Sequence, residues 1–562
     1  MNILFSIFDS IKWLTGFEMV LCLLDLIILI WHFIPNKRHF RWVDFVPGAG
    51  IIITIISIIT GDTSIPALAL YLLTLIVFLC TARNLFRPRI NKVSARFKVI
   101  KAFFCICGII VIMLVFMLAG QLRYNPESDF SKMSYSKAFI ALNQRMSVEY
   151  PFGDWKKINW NAKLDQYLPI MEQAEKDKNQ EKYYKALREY LYSFKDSHIE
   201  IENDNLYTEN KIFEKEVGGG FGISTIQLDN GRVLVSMVLT GSPAEKSGIK
   251  PGAEILVWNG TDVKDVYKNT FWSELPMTTE GDHNYYQGRF MARAPIGEQI
   301  QIEFRNPSEK DIKNVSLTAY DDNYETLKIT RVKPKESDPP IEGKVLENGY
   351  GYIKIRYFLA NKEIKDPVAV MKEKLKEFQN SNVKGVIIDL RDNPGGEDEM
   401  AAKMAGCFVS EDKLYEYASY YNRNTKRFEI NYGEDYTIKP AEPIYKGKVA
   451  ILINNKTTSS GEGLPLALKG LPNVKIVGFT STNGSFGVVS SPIVIKMPEG
   501  YILHIPDGRS LNKDKVIQLD CDSTGRGGVD PDIKIPLNEE NFHKKYITGQ
   551  DIEMDYAAEA LK

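Results

Sequence analysis

Two segments decide the fold of the second half of the chain. Residues 385–396 read GVIIDLRDNPGG, and residues 449–463 read VAILINNKTTSSGEG. Each begins with a short apolar, β-branched run and ends in small polar residues and glycines, which is typical of a buried strand that exits into a turn. Strand-like runs of this kind alternate with helical ones from about residue 345. The alternation predicts an α/β core with a substantially parallel sheet over 345–540.

Both turns contain groups that could take part in acyl transfer. Ser459 lies where a strand turns into a helix, so its hydroxyl can be exposed while the helix N-terminus stabilises negative charge. An alternative without catalysis is that Ser459 and Glu462 form only a capping box. The paired glycines Gly395 and Gly396 leave backbone N–H groups free to point at an anion, as an oxyanion hole requires. Alone, the glycine pair could equally be an ordinary strand exit.

The middle of the chain contains two blocks rich in glycine, GGGFGIS at 218–224 and GSPAEKSGIKPGAEIL at 241–256. In this order they resemble a PDZ domain, and Asn230-Gly231 between them is a strong hairpin signal. A glycine-rich loop before a strand can hold a terminal carboxylate, and the strand can accept a peptide by β-augmentation. The resemblance implies a mainly β, PDZ-like domain over 217–335. Its expected peptide-binding residues are Gly220, Phe221, Gly222 and Ile223.

Composition limits the class of protein. The chain has 562 residues, of which 44% are hydrophobic and 25% charged, and its formal net charge is −1. These values exclude a collagen, a wholly disordered chain and a disulfide-stapled miniprotein. The near-zero charge argues against a nucleic-acid partner bound through bulk basicity. The charge is uneven, however, because residues 1–121 contain eleven basic and only five acidic residues.

Residues 1–121 contain four long apolar runs. They lie at about 14–34, 42–60, 65–82 and 102–120. Each is about as long as the ~17–25 residues that a helix needs to cross a bilayer, so we expect an all-α transmembrane domain of four helices in contact with membrane lipid. Asp25 and His32 are seven residues apart and so share a face of the first predicted helix. They could serve a function within the membrane, or they could take part only in helix packing. Basic residues cluster in the first and third connections, which predicts a multi-pass protein of the cytoplasmic membrane with its N-terminus and everything after residue 121 outside.

Three motifs follow one another in the exported part. They are D-L-R-x-N-x-G-G at 389–396, T-x-S-x-x-E at 457–462 and G-V-x-P-D at 528–532. With the PDZ-like block ahead of them, they resemble the C-terminal processing (tail-specific) peptidases over about 130–536. The resemblance implies a ClpP/crotonase-like α/β peptidase core, preceded by a helical segment at 122–216.

The resemblance also assigns roles at the site. The serine nucleophile falls on Ser459, and the oxyanion donors fall on the N–H groups of Gly395, Gly396 and Ser460. We expect protein or peptide substrates, no cofactor and no metal, since no cluster of metal ligands is evident in the sequence. Residues 541–562 are expected to form a C-terminal tail.

The general base differs from that of one branch of the family. The lysine of the Ser–Lys branch falls on Gly484 here, and the glutamine that follows it falls on Val488. The segment Asp196-Ser197-His198 instead resembles the motif of the histidine-using branch, which includes the tricorn core protease. A neutral imidazole is a suitable base near pH 7, so His198 is the expected base, with His504 as a competitor.

A catalytic triad also needs a carboxylate to orient the imidazole. The histidine branch often has a glutamate shortly before the G-V-x-P-D turn, where this chain has Asp520 and Asp522. We expect Asp520, which ends the apolar run VIQL, with Asp522 as the alternative. The leading hypothesis is therefore a membrane-anchored, extracytoplasmic serine endopeptidase with PDZ-assisted recognition. The second hypothesis is a catalytically silent peptide-binding receptor or scaffold on the same fold.

Overall fold

The structure is a computed structural model. It describes residues 127–562 except 203–206, 208–209, 332–333, 336 and 424, and, nearer the N-terminus, 20–28, 46, 49–53 and 70–77. The chain divides into two compact units, Met1–Asn125 and Pro126–Lys562. The first unit is described only through short helical stretches, so the architecture below is that of the second.

Within the described residues, no helix combines the length and the apolar character needed to cross a bilayer. The prediction of a four-helix transmembrane region, and with it a multi-pass membrane location, is wrong on this finding. Apolar runs indicate burial but not the medium that buries them. Asp25, in the helical stretch 20–28, accepts a hydrogen bond from the Thr74 hydroxyl at 2.9 Å in the stretch 70–77, so these two stretches are in contact with each other. The remainder of the predicted spans, and His32, lie outside the described residues.

The second unit contains helices and strands that we number in chain order. The helices are α1 (Tyr135–Glu149), α2 (Trp160–Lys176), α3 (Gln180–Tyr192), α4 (Lys211–Val217), α5 (Pro243–Lys246), α6 (Val263–Lys268), α7 (Glu280–Phe290), α8 (Glu325–Thr330), α9 (Pro367–Asn380), α10 (Asp398–Ala405), α11 (Ser460–Leu468), α12 (Glu539–Phe542) and α13 (Ile552–Ala560). The strands are β1 (Glu127–Asp129), β2 (Glu200–Glu202), β3 (Gly219–Gly220), β4 (Ile223–Gln227), β5 (Val233–Val238), β6 (Glu254–Trp258), β7 (Thr261–Asp262), β8 (Arg293–Ala294), β9 (Gln299–Arg305), β10 (Lys313–Thr318), β11 (Tyr320–Asp321), β12 (Ile341–Val345), β13 (Gly351–Ile355), β14 (Val386–Asp389), β15 (Lys413–Asn422), β16 (Arg427–Ile430), β17 (Tyr436–Ile438), β18 (Val449–Leu452), β19 (Val474–Gly478), β20 (Ile493–Lys496), β21 (Ile502–Ile505), β22 (Gly508–Leu511) and β23 (Ile533–Lys534).

The α/β core is a six-stranded sheet in the order β12-β13-β14-β18-β19-β23. All neighbours from β13 to β23 pair in parallel, and only β12 is antiparallel. The strands are apolar on both faces because helices α9, α10 and α11 cover one face and α13 covers the other. Asp389 of β14 lies opposite Leu452 of β18. The two motif-bearing turns therefore leave neighbouring parallel strands at the same level of the sheet, at their carboxyl ends.

Two other layers flank this core. Helices α1, α2 and α3 pack with the four-stranded sheet β1-β20-β21-β2 around an aromatic cluster that includes Phe139, Tyr190 and Phe194. The PDZ-like domain is built on the sheet β10-β9-β6-β5-β4, in which β4 is the outer strand. The Asn230-Gly231 turn joins β4 to β5, with Gly231 at φ 81° as a tight hairpin requires.

A buried ion pair fastens the glycine-rich start of the PDZ-like domain. The guanidinium of Arg293 on β8 lies 2.7 Å from the carboxylate of Asp322, and neither side chain is more than 1% exposed. The same guanidinium donates to the carbonyl oxygens of Val217 at 3.0 Å and Gly218 at 2.9 Å. The Arg293 side chain thus joins β8 to Asp322 and to residues 217–218 at the start of the glycine-rich segment.

Replacing Arg293 with methionine is expected to lower the free energy of unfolding by about 3–5 kcal/mol, because Asp322 would remain buried without its counter-charge. Urea unfolding of the full chain, followed by circular dichroism, measures the change. The Arg305→Met variant is the control, because Arg305 pairs with Glu254 from a position that is 40% exposed. It is expected to lose less than about 1 kcal/mol. Equal losses in the two variants would contradict the proposed role of Arg293.

Candidate active site

Ser459 forms the sharp turn between β18 and α11. Its backbone has φ 56° and ψ −134°, in the left-handed half of the conformational map that favours glycine. Such a conformation costs on the order of 1–3 kcal/mol in a residue with a side chain, and it persists only where the surrounding structure enforces it. The side chain is partly exposed. The turn therefore presents a hydroxyl at the start of a helix under enforced strain.

The carboxylate of Glu462 holds this turn in place. It is fully buried and accepts hydrogen bonds from the N–H groups of Ser459 at 3.2 Å, Gly484 at 2.8 Å and Ser485 at 3.0 Å. It also accepts a hydrogen bond from the Thr482 hydroxyl at 2.5 Å. The capping contact that offered a non-catalytic explanation for Glu462 is therefore present, but it is one part of a larger network. That network joins the Ser459 turn to the 482–485 loop.

The three backbone N–H groups expected to form the oxyanion hole differ in whether they already have a hydrogen-bond acceptor. The N–H of Gly395 donates to the side-chain oxygen of Asn393 at 2.8 Å, so it is already used. Among the described residues, neither the N–H of Gly396 nor that of Ser460 has a backbone acceptor. The two turns are in contact, because the Ser460 hydroxyl donates to the Gly396 carbonyl at 2.9 Å. Of the three expected oxyanion donors, Gly396 and Ser460 are the two that the backbone leaves free.

His198 lies between α3 and β2, directly after a residue that is bonded to the same 482–485 loop. The N–H of the preceding residue, Ser197, donates to the Ser485 hydroxyl at 3.1 Å, and the Ser197 hydroxyl donates to the Asn483 side chain at 2.8 Å. The Ser485 carbonyl in turn accepts from the N–H of Ser459 at 3.0 Å. The structure thus brings the expected nucleophile and the expected base to one loop, although they are far apart in sequence.

The carboxylate that faces the imidazole is Asp196. Its Oδ1 lies 3.6 Å from Nδ1 of His198 and accepts the His198 backbone N–H at 3.0 Å. Its Oδ2 accepts the Tyr150 hydroxyl at 2.9 Å. Burial alone would raise the pKa of Asp196, but His198 and Lys156 hold that pKa below its ordinary value. Asp196 is therefore a buried, charged carboxylate beside the imidazole. In the sequence, the D-x-H motif formed by Asp196 and His198 was the feature that could have indicated this pairing.

The two expected carboxylates lie elsewhere. Asp520 is buried, and its Oδ1 accepts the N–H of Phe486 at 3.3 Å, whereas its Oδ2 has no partner among the described residues. Burial and the nearby charge of Asp196 raise the pKa of Asp520 well above its ordinary value. Asp522 belongs to an outer turn, where the Thr524 hydroxyl lowers its pKa to about 2. The described structure contains no hydrogen bond from either side chain to His198.

The structure also describes the position of the family lysine, Gly484, and the competing histidine, His504. Gly484, at the position of the family lysine, has φ 80°, and a Cβ built there would come within 2.9 Å of Thr279 Cγ2. A side chain is therefore strained at this position whatever its chemistry. His504, the competing histidine, is on β21, with its Nε2 2.6 Å from the Glu202 carboxylate on β2. That contact ties His504 to the flanking sheet.

An open cleft of about 410 Å³ lies against Ser459. Its walls are Gly396–Glu399 on one side and Gly487–Ser490 on the other, with Tyr436 at its edge. The cleft is adjacent to the free N–H of Gly396. An extended chain bound there would pass beside the serine and the two free backbone donors.

The expected peptide-binding loop of the PDZ-like domain is closed. Gly220, Phe221, Gly222 and Ile223 are all buried, and Gly220 is paired in β3 with β8 and β11. At the outer edge of β4, the Asn284 side chain donates to the Gln227 carbonyl at 2.9 Å and accepts the Gln227 N–H at 3.3 Å. Asn284 thus satisfies both backbone groups of Gln227, the last residue of β4. Peptide binding at these residues stays a prediction, and it would require α7, which carries Asn284, to move.

Helix α7 also contacts the Ser459 turn. Lys456 places its Nζ 2.9 Å from the Tyr286 hydroxyl and 3.4 Å from the Asp282 carboxylate, over the rings of Tyr285 and Tyr286. One helix therefore covers the edge of β4 and holds a lysine three residues before Ser459. The sequence motifs had not indicated a role for Lys456.

Comparison with known proteins identifies two domains in this chain. Residues 349–535 match the model of peptidase family S41, and residues 211–271 match the PDZ domain model. The carboxy-terminal processing protease CtpA of Bacillus subtilis is 26% identical over 331 residues, which cover 58% of this chain and 59% of that protein. A probable CtpA-like serine protease of Staphylococcus aureus is 25% identical over 396 residues, which cover 68% of each. The chain thus spans between three fifths and about two thirds of the length of these relatives.

A solved structure gives the same fold. Mature CPAF, determined in complex with lactacystin, superposes with a TM-score of 0.52 and 13% sequence identity, over 76% of this chain and 98% of that one. At this identity the likeness concerns the fold alone.

The buried Glu462 gives a testable pH dependence of stability. Burial raises its pKa from the ordinary 4.5 to about 7. The folded state therefore binds a proton more tightly than the unfolded state, and the associated stability is present below about pH 4.5 and lost as the pH rises through 7. The Glu462→Gln variant has no such titration. We expect the free energy of unfolding of the unaltered chain to fall by roughly 3 kcal/mol relative to this variant between pH 4 and 8. Parallel pH profiles of the two chains in urea unfolding would contradict this expectation.

Proposed function

We propose that this chain, a serine-type peptidase with a PDZ-like domain, cleaves protein or peptide substrates by the combined action of Ser459 and His198. The prediction of a serine peptidase is confirmed by the two domain matches together with the CtpA relatives. The residue roles and carboxy-terminal processing of substrates are our proposals. The relatives that carry that description in their names support the latter.

The proposed chemistry follows from the arrangement of the groups. The Nδ1 edge of the His198 imidazole faces Asp196, so its Nε2 is the nitrogen available to take the proton from the Ser459 hydroxyl. The serine oxygen then attacks the carbonyl carbon of a peptide in the cleft. The resulting oxyanion accepts hydrogen bonds from the N–H groups of Gly396 and Ser460. His198 returns the proton to the leaving amine, and water hydrolyses the acyl-enzyme by the same route.

One observation supports this proposal most strongly. Ser459, in a strained turn at a helix N-terminus, and the Asp196–His198 pair are held by the same 482–485 loop, beside two free N–H groups. A scaffold protein would have no need to keep a strained serine next to a histidine with a charged partner. The geometry therefore favours catalysis over a silent receptor.

Replacing Ser459 with alanine is expected to lower casein cleavage by at least about 10³-fold and to abolish labelling by a fluorophosphonate probe. Ser316→Ala removes an exposed serine from β10 and is the control, with labelling and cleavage both retained. Labelling that survives in the Ser459→Ala chain would refute the nucleophile assignment. An unaltered chain that neither labels nor cleaves would favour the receptor hypothesis.

A pair of isosteric variants separates the two candidate carboxylates. Asn reproduces the shape of a protonated aspartic acid, so Asp520→Asn is expected to change kcat by less than about tenfold if Asp520 is already neutral. Asp196→Asn removes the charge that faces the imidazole and is expected to lower kcat by about 10²–10⁴-fold. Steady-state kinetics between pH 5 and 9 measures both. The reverse order of effects would assign the orienting role to Asp520.

A further inference from the structure

A second cleft lies close to the one at Ser459. Its volume is about 580 Å³, and its lining includes four aromatic side chains and three cations. The aromatic residues are Tyr150, Trp160, Tyr421 and Phe428, and the cations are Lys426, Arg427 and Arg509. Asp154, at an exposed position, is the acidic residue of the lining. We call this site the Arg509 cleft.

Within the described residues, the guanidinium of Arg509 has no carboxylate partner. Its Nε is buried and has no hydrogen-bond acceptor within the described part of the chain. One terminal nitrogen donates to the Pro151 carbonyl at 3.4 Å, which is a long contact for a charged donor. Burial lowers the pKa of Arg509 and the charge of Asp154 only partly offsets this. Because Nε is buried, an anion in the cleft would have to bind the terminal nitrogens of this guanidinium, whose one hydrogen bond is long.

The position of the guanidinium fits a planar carboxylate. Arg509 is stacked over the Phe428 ring, with 4.5 Å between the guanidinium carbon and the ring centroid. Stacking fixes the plane of the guanidinium, and a fixed plane favours bidentate recognition of a carboxylate. The aromatic walls around it suit an apolar group attached to that carboxylate.

The two clefts share a wall. Val488, which lines the cleft at Ser459, exchanges two backbone hydrogen bonds with Gly508, at 3.0 and 3.1 Å, and Gly508 directly precedes Arg509. Gly487 packs against the Phe152 ring, between Pro151 and Gly153 of the second cleft. A peptide leaving the cleft at Ser459 along this wall would therefore meet the Arg509 cleft.

We propose that the Arg509 cleft binds the C-terminal carboxylate of a peptide substrate, with the last side chain of the peptide among the aromatic residues. The proposal rests on the proposed peptidase function. It is also compatible with the PDZ-like domain, in which Asn284 already bonds both backbone groups of Gln227 at the end of β4. In this proposal the C-terminus of the substrate is bound by the Arg509 cleft and not by the PDZ-like domain.

Binding is tested on the full chain with Ser459→Ala, which keeps the peptide intact. The probe is a short fluorescein-labelled peptide ending in phenylalanine, prepared as the free acid and as the C-terminal amide, and affinity is measured by fluorescence anisotropy. We expect the free acid to bind about 10- to 100-fold more tightly than the amide, as for a hydrogen-bonded charge pair. Equal affinity of the two peptides would overturn the proposal.

Variants locate the carboxylate. Arg509→Met is expected to abolish the preference for the free acid, and Arg509→Lys, which keeps the charge but not the planar fork, to reduce it. The control is Arg526→Met, which removes a guanidinium whose side chain is 83% exposed, and which should keep the full preference. A preference that survives Arg509→Met in a chain with an unchanged circular dichroism spectrum would overturn the proposal and point to the glycine-rich PDZ-like loop.

The test of the Arg509 cleft can fail or succeed independently of the test of the proposed peptidase function. Fluorophosphonate labelling of Ser459 tests the peptidase, whereas the anisotropy experiment uses a chain without the nucleophile. Loss of labelling with a retained, Arg509-dependent preference would refute catalysis but support the binding site. Labelling without any preference for the free acid would leave catalysis supported and refute the site.

Discussion

The buried carboxylate of Glu462 is the interaction on which the site depends. A carboxylate without solvent must be surrounded by donors, and here the donors come from two separate segments, the Ser459 turn and the 482–485 loop. The loop is bonded in turn to Ser197, which directly precedes His198. The strained serine and the histidine are thus positioned by one hydrogen-bond network and not by direct contact between their own elements. The sheet fixes the other half of the site, because β14 and β18 release their turns at the same level.

Much of the fold and part of the candidate site could be predicted from the sequence, because these features depend on residues that are close together in the chain. The β-branched runs that become β14 and β18, the Asn230-Gly231 hairpin and the serine at a strand-to-helix turn all depend on residues within a few positions of one another. The three spaced motifs also identified the peptidase class. Periodicity and turn chemistry report such features directly.

Other features depend on contacts that sequence spacing does not encode. Asp520 was expected to orient His198 because it lies before the G-V-x-P-D turn, but the structure puts Asp196 at the imidazole and surrounds Asp520 with an environment that favours its neutral form. The closure of the β4 edge depends on Asn284, more than fifty residues away in sequence. The transmembrane prediction was wrong for a related reason, since hydropathy measures the tendency of a segment to leave water and does not by itself establish a helix that crosses a bilayer.

The conformation of Gly484 limits the residues that its position accepts. Its positive φ and the methyl group of Thr279 against it would strain any side chain here, so a single exchange to lysine would disturb the loop before it supplied an amine. The loop also provides three of the donors that hold Glu462, so the disturbance would reach the serine itself. Glycine at position 484 is therefore a structural requirement of this loop, and a lysine amine could not be introduced here by exchanging this one residue alone.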